Sequence, residues 1–107
     1  MTIHRGEVRW YCFPQPDKSR PVLILTRTPA VEFLAEITVA QITSTVRDSP
    51  SEVPLTKADG MPRDCVVNLD HVKTVPKARI GGLVTTLGAE RMTAVRHALL
   101  FALGFDR

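Results

Sequence analysis

Apolar positions recur mostly at intervals of two along this chain, punctuated by turn residues, until the interval near the C-terminus lengthens to that of a helix. Residues 5–13, RGEVRWYCF, read as a strand. Val8, Trp10 and Cys12 share one face; Glu7, Arg9, Tyr11 and Phe13 share the other. Alternation with Val8 and Cys12 places Trp10 in the core. Pro14 to Ser19 form a Pro-rich loop. Residues 21–26 are almost continuously apolar, as in a strand buried on both faces. Thr28-Pro29-Ala30 interrupts the pattern, and residues 31–34 read as a connector.

Residues 35–43 predict a third strand, with Ile37, Val39 and Gln41 on one face and Glu36, Thr38, Ala40 and Ile42 on the other. A short alternating segment, 51–55, follows Asp48-Ser49-Pro50, and Asp59-Gly60-Met61-Pro62 has turn chemistry. Residues 65–69 read as another apolar strand, which 72–75 extend; Gly81-Gly82-Leu83-Val84 leads to the final element. That element is a helix over 89–103, with Gly88 at its N-cap and Gly104 as a left-handed C-terminal cap. Met92, Val95, Leu99 and Leu103 form its apolar stripe. Phe101 falls on the opposite side, as a scattered exposed residue or as part of a subunit interface. Short strands with one terminal helix predict a mainly β fold, a small twisted antiparallel sheet or barrel.

At 107 residues the chain is expected to form a single domain, 1–107. Its 44% hydrophobic and 23% charged content exclude disorder as the default. No apolar run approaches the roughly 18 residues of a membrane span. The N-terminal residues lack the apolar core of a signal peptide, so the expected compartment is the cytoplasm. Cys12 and Cys65 belong to no C-x-x-C, and His4, His71 and His97 lack zinc-like spacing, so no metal is expected. The net charge of +3 is too small to identify a partner, although Arg63, Lys73, Lys77 and Arg79 fall within one stretch.

The most informative chemistry lies in two clusters set against strands. Arg20 opens one apolar strand, and Thr43-Ser44-Thr45 closes the next. If the two strands are neighbours, a permanent cation sits beside hydroxyls, an arrangement suited to phosphate oxygens. The spacing by itself does not say whether such a site holds a phosphodiester or cleaves it.

The order of motifs resembles the MazF/PemK family of toxin endoribonucleases. The resemblance is carried by Arg5-Gly6-Glu7-Val8 with Trp10, by Arg20-Pro21-Val22-Leu23-Ile24 and by Ile42-Thr43-Ser44-Thr45. It continues through the run from Gly60 to Asp70, Lys73-Thr74-Val75, Lys77 to Gly81, and Leu87, Glu90 and Met92. It implies an SH3-like barrel of the MazF/PemK/CcdB type with a C-terminal helix, acting as a homodimer in which Phe101 is the candidate interface residue. It implies a type II toxin that cuts RNA within short sequences, inhibiting translation and growth, with no metal or other cofactor. The expected partners are single-stranded RNA, or single-stranded loops of structured RNA, and a cognate antitoxin. The antitoxin's acidic, extended C-terminal segment would lie over the active site.

Metal-free cleavage uses the ribose 2′-hydroxyl as nucleophile, expels the 5′-oxygen and leaves a cyclic phosphate. It needs a base, a countercharge for the phosphorane and an acid. Arg20 matches the family's essential arginine; it stays protonated, so charge stabiliser or acid suits it better than base. Thr43 matches the catalytic threonine and can donate to a phosphate oxygen. Asp70 stands where part of the family places an acidic residue for acid–base work; a structural carboxylate accepting backbone amides is the alternative. Ser44 and Thr45 add donors or form a turn. Lys73, Arg79 and Arg27 are the expected phosphate contacts, and Trp10, Tyr11 or Phe13 the stacking candidates.

The chain departs from the family pattern at three points. The 14–19 loop is short, with Asp17 its only acid. Gln41 replaces a small residue before Ile42-Thr43, where its amide contacts a base edge or faces solvent. His71 replaces a common glutamine after Asp70, where it could stack on a base or titrate. Two other classes compete. A CcdB-like, non-catalytic gyrase binder would not require the Arg20/Thr43 pair, and its C-terminal Trp is absent. A plain SH3-like binding module would need an aromatic groove, and only 6% of the residues are aromatic.

Overall fold

A computed structural model of the chain describes residues 2–13 and 18–106. Residues 14–17 of the Pro-rich loop, Asp17 among them, lie outside the described residues. The strands are β1 (Glu7–Cys12), β2 (Ser19–Ile24), β3 (Glu36–Thr43), β4 (Glu52–Leu55), β5 (Cys65–Pro76) and β6 (Ile80–Thr86). They form one antiparallel sheet in the order β4-β5-β3-β2-β1-β6. Helix α1 (Thr28–Val31) follows β2, and helix α2 (Ala89–Leu103) ends the fold. The mainly β expectation holds. Two elements differ: the segment around Pro29 is a short helix rather than a simple interruption, and Gly81-Gly82 lies inside a strand.

Each face of the sheet carries an apolar cluster. On one, Leu23, Ala40, Ile42, Val53, Leu55, Val67 and Leu69 pack beneath Val95 and Ala98 of α2. On the other, Tyr11, Val22, Ile24, Ile37, Val39, Val75 and Ile80 gather with Ile3 and Val31 of α1. Alternation along β2 and β3 feeds both faces, as the continuous apolar run of β2 requires.

Strand β5 does so by another device. Ala40 pairs with Val72, but Gln41 pairs with Asn68, leaving Leu69, Asp70 and His71 unpaired on the β3 side. An odd number of extra residues reverses the side-chain alternation. Val67 and Val75 therefore serve opposite clusters although their positions differ by an even number.

Helix α2 packs against β4 and β5. Its buried residues are Val95 and Ala98, with Met92, Leu99 and Ala102 partly covered. Leu103 is 59% exposed, so it does not belong to the core stripe, which ends with Leu99 and Ala102. Trp10 is 40% exposed, which corrects its assignment to the core. Alternation does place it on the face that α2 covers, but the cover that fully buries Val8 does not extend to Trp10, two residues further along β1. Tyr11, on the other face, is the buried aromatic of β1.

Two polar contacts close the curl. Thr85 Oγ1 of β6 donates to the Asp59 carbonyl at 2.8 Å, and Asp59 pairs with Arg91 of α2 at 3.0 Å. Next to them Gly60 has φ +91°, and a Cβ there would lie 2.3 Å from Thr85 Oγ1. Glycine is required for both reasons. At the other end of β6, the buried Arg9 donates to Glu7 Oε1 at 2.7 Å, to the Gly81 carbonyl at 3.1 Å and to the Thr2 carbonyl at 3.1 Å. This side chain ties β6 and the N-terminal segment to β1. Burial pushes the Glu7 carboxyl up, but hydrogen bonds from Arg9 and the His4 amide and the charges of both residues outweigh it, so its pKa is lowered.

Gly60→Ala should destabilise the fold by about 2 kcal/mol, measured as a lower urea midpoint at an unchanged slope. Because the folded-state pKa of Glu7 is depressed, its contribution is present above the unfolded carboxyl value and is lost as pH falls through the folded one. The urea midpoint should therefore fall on acidification below about pH 4.5, and less steeply in Glu7→Gln. An equally steep decline in that variant would assign the loss to other carboxylates, Asp59 first, since Arg91 and the Thr56 amide also hold its pKa low.

Candidate active site

One row of residues crosses the sheet at the end where β2 begins and β3 stops. Tyr11 pairs with Arg20 on one side and with Ile80 on the other. Thr43 pairs with Val66. Between β2 and β3, Val22 pairs with Gln41. The β2–β3 ladder ends at that pair, and Arg20 and Thr43 each lie two residues beyond it. Paired side chains on neighbouring strands share a face, as do side chains two residues apart on one strand. Arg20, Gln41 and Thr43 therefore share the face of Tyr11 and Val22, where the second apolar cluster ends.

Arg20 is exposed and makes no ion pair among the described residues. Its strand is anchored two residues on by the fully buried Val22, so the guanidinium starts from a fixed backbone. Thr43 is half-buried, and its Oγ1 accepts the Thr45 amide at 3.1 Å. That contact favours the turn reading of Ser44 and Thr45. It also occupies one lone pair of the Thr43 hydroxyl and leaves its proton to be donated elsewhere. Both Ser44 and Thr45 are exposed.

Asp70 and His71 are exposed residues of the β5 bulge. Asp70 adjoins the row through Asn68, which pairs with Gln41 and whose Oδ1 accepts the Asp70 amide at 2.9 Å. The Asp70 carboxylate in turn accepts the Ser51 hydroxyl at 2.5 Å. Among the described residues it is held by this side chain rather than by a backbone amide.

The cations expected to bind RNA are distributed unevenly. Lys73 lies on the Arg20 face, its Nζ 5.6 Å from the centroid of the Phe13 ring, which in turn meets Tyr11 edge-on. Arg79 is exposed and directly precedes Ile80, the β6 member of the row. Arg27 is not brought to the site. It follows the far end of β2, about 20 Å of extended strand from Arg20, beside Pro29, Phe33 and Leu34. Of the stacking candidates, Tyr11 is buried, Phe13 is half-buried beneath Lys73, and Trp10 points to the opposite face. Phe101 is 43% exposed on α2. A cavity of about 820 Å³ lies elsewhere, between Ile3, Thr28, Pro29, Val31 and Lys77.

The model of the PemK-like, MazF-like toxin family of type II toxin–antitoxin systems matches residues 4–103. The chain belongs to this family. It is similar to the endoribonuclease MazF3 of Mycobacterium tuberculosis, with 39% identity over 92 residues, or 86% of this chain and 89% of the relative. The probable endoribonuclease MazF5 of the same organism is 38% identical over 104 residues, covering 96% and 94% of the two chains. Among solved structures, Mycobacterium tuberculosis toxin MazF-mt6 superposes with a TM-score of 0.86 at 34% identity, over 94% of this chain and 99% of that one.

Within this MazF-like chain, sequence reasoning missed three side chains around Asp70. Asn68 and Ser51 are buried, at 8% and 0% exposure, and Ser49 is half-buried. Asn68 sits in an apolar run, and a buried amide there was the one visible signal of a polar task. Ser49 and Ser51 read only as turn residues, since nothing local joins position 51 to position 70.

Proposed function

We propose that the chain is a toxin endoribonuclease that cleaves single-stranded RNA, or single-stranded loops, without a metal. The observation that supports this reading is the pairing of Val22 with Gln41, beyond which Arg20 and Thr43 follow on the same face, Arg20 making no ion pair among the described residues. The family membership and the endoribonuclease names of its relatives agree with it.

In this mechanism Asp70 takes the proton of the ribose 2′-hydroxyl. The oxygen bonds to the adjacent phosphorus as the bond to the 5′-oxygen breaks. Arg20 supplies the countercharge for the phosphorane and is the candidate acid for the departing oxygen. The Thr43 hydroxyl donates to a non-bridging oxygen. Lys73 and Arg79 guide the RNA backbone, with Gln41 and His71 facing the bases. The toxin works in the cytoplasm as a homodimer, Phe101 contributing to the interface. A cognate antitoxin silences it by laying an acidic segment across the Arg20 face.

Purified protein incubated with a mixed RNA pool in EDTA should generate new cyclic-phosphate and 5′-hydroxyl ends. Arg20→Ala should lower the rate about 10²–10³-fold, the usual effect of losing one preorganised donor to a developing charge. Thr43→Ala should lower it roughly 10-fold or more. RNA left intact at high protein concentration would refute the nuclease, and gyrase inhibition by the same preparation would then identify a CcdB-like toxin.

A further inference from the structure

The β5 bulge raises a question of order. Asp70 is exposed and lies in a stretch without partners on β3, where a carboxylate would ordinarily sample several rotamers. It is instead tied down from the side. Ser51, fully buried just before β4, donates its hydroxyl to Asp70 Oδ2 at 2.5 Å. Its carbonyl accepts the amide of Leu69, the first bulge residue, at 2.9 Å. The Ser51 oxygen lies 2.7 Å from that of Ser49, whose oxygen also accepts the Ser51 amide at 3.2 Å. Ser51 has one hydroxyl proton and gives it to the carboxylate, so the Ser49 hydroxyl must donate to Ser51. The chain is therefore directional: Ser49 to Ser51 to Asp70.

Ser49 is itself held by Glu52, whose carboxylate accepts the Ser49 amide at 3.4 Å and the Arg47 amide at 3.1 Å. The turn thus closes through Glu52 and the Ser49 oxygen without any contribution from Asp70. Its own geometry gives no reason for a buried hydroxyl to reach an exposed carboxylate. We propose that Ser51, backed by Ser49, is a positioning residue for the proton-accepting carboxylate of Asp70. With Oδ2 occupied, Oδ1 is the oxygen presented to the 2′-hydroxyl. The chain of donors fixes the rotamer that presents it, and each donor polarises the next. The proposal rests on the assignment of Asp70 as the base in the mechanism above.

A double-mutant cycle separates positioning from mere support of the fold. Single-turnover cleavage is measured on an oligonucleotide carrying a site mapped from the RNA pool, for wild type, Ser51→Ala, Asp70→Asn and the double variant. Ser51→Ala should slow cleavage about 10-fold at saturating RNA while leaving the RNA concentration for half-maximal rate within about 2-fold. Added to Asp70→Asn, it should cost less than about 2-fold, because its target is already lost. Equal losses in both backgrounds, or no loss in either, would overturn the relay while leaving Asp70 as base. Asp70→Asn cleaving like wild type would overturn the base and the relay together, with Arg20 and Thr43 unaffected. If Ser51→Ala does not fold by circular dichroism, the half-buried Ser49→Ala takes its place in the same cycle. It should give a loss of about 2–3-fold in the wild-type background that disappears beside Asp70→Asn, and additivity would again overturn the relay.

Discussion

The fold depends on a three-residue offset in one ladder, between the pairs Ala40–Val72 and Gln41–Asn68. A regular β5 of the same sequence would carry Cys65, Val67, Leu69 and Val75 on one face. The cluster under α2 would be overfilled, and the cluster around Tyr11 would lose Val75. The odd offset divides the strand instead. Its first part joins β4 and α2 on one side of the sheet, and its second part bends across the other side toward Ile37. This bend brings Lys73 over Phe13 and returns the chain to pair Ile80 with Tyr11. The same offset leaves Asp70 and His71 outside the β3 ladder, so the feature that distributes the core also frees the residues nearest the candidate chemistry.

Much of this was legible along the chain because it is local. The apolar run over 21–26, the alternation of β3 and the capped C-terminal helix depend on neighbours in sequence, and each appears close to where the pattern put it. Trp10 shows where pattern reading ends. Its alternation with Val8 correctly gave a face, but burial depends on what covers that face, and the reach of α2 is a tertiary property. Leu103 was misjudged for the same reason from the helix side. The bulge was foreshadowed by the break between the apolar segments 65–69 and 72–75, yet its size, and so the parity flip, is set by pairing with β3.

The candidate site divides similarly. Arg20 and Thr43 stood out because each ends a strand and each resembles a family residue. Their places on one face, each two residues beyond the Val22–Gln41 pair, agree with their use as a pair. The surroundings of Asp70 were hidden, since a serine in a turn and an asparagine in a strand acquire meaning only when β4 and β5 are side by side. Arg27 differs from Lys73 and Arg79 in position: β2 carries it to the end of the strand opposite Arg20.

The three groups proposed for the chemistry are supported in different ways, and the difference fits the role proposed for each. A phosphorane countercharge has to be in place before charge develops, and Arg20 begins on a strand whose next inward residue, Val22, is fully buried. A hydroxyl donor needs an uncommitted proton, and the Thr45 amide, by using the Thr43 oxygen as acceptor, leaves that proton free. A base must present one lone pair yet remain reachable by substrate, which excludes burial as a means of fixing it. An exposed carboxylate gripped from behind by a buried hydroxyl meets both demands. The site can thus be stiff where charge accumulates and open where the proton leaves, with the ladder supplying the first property and the bulge the second.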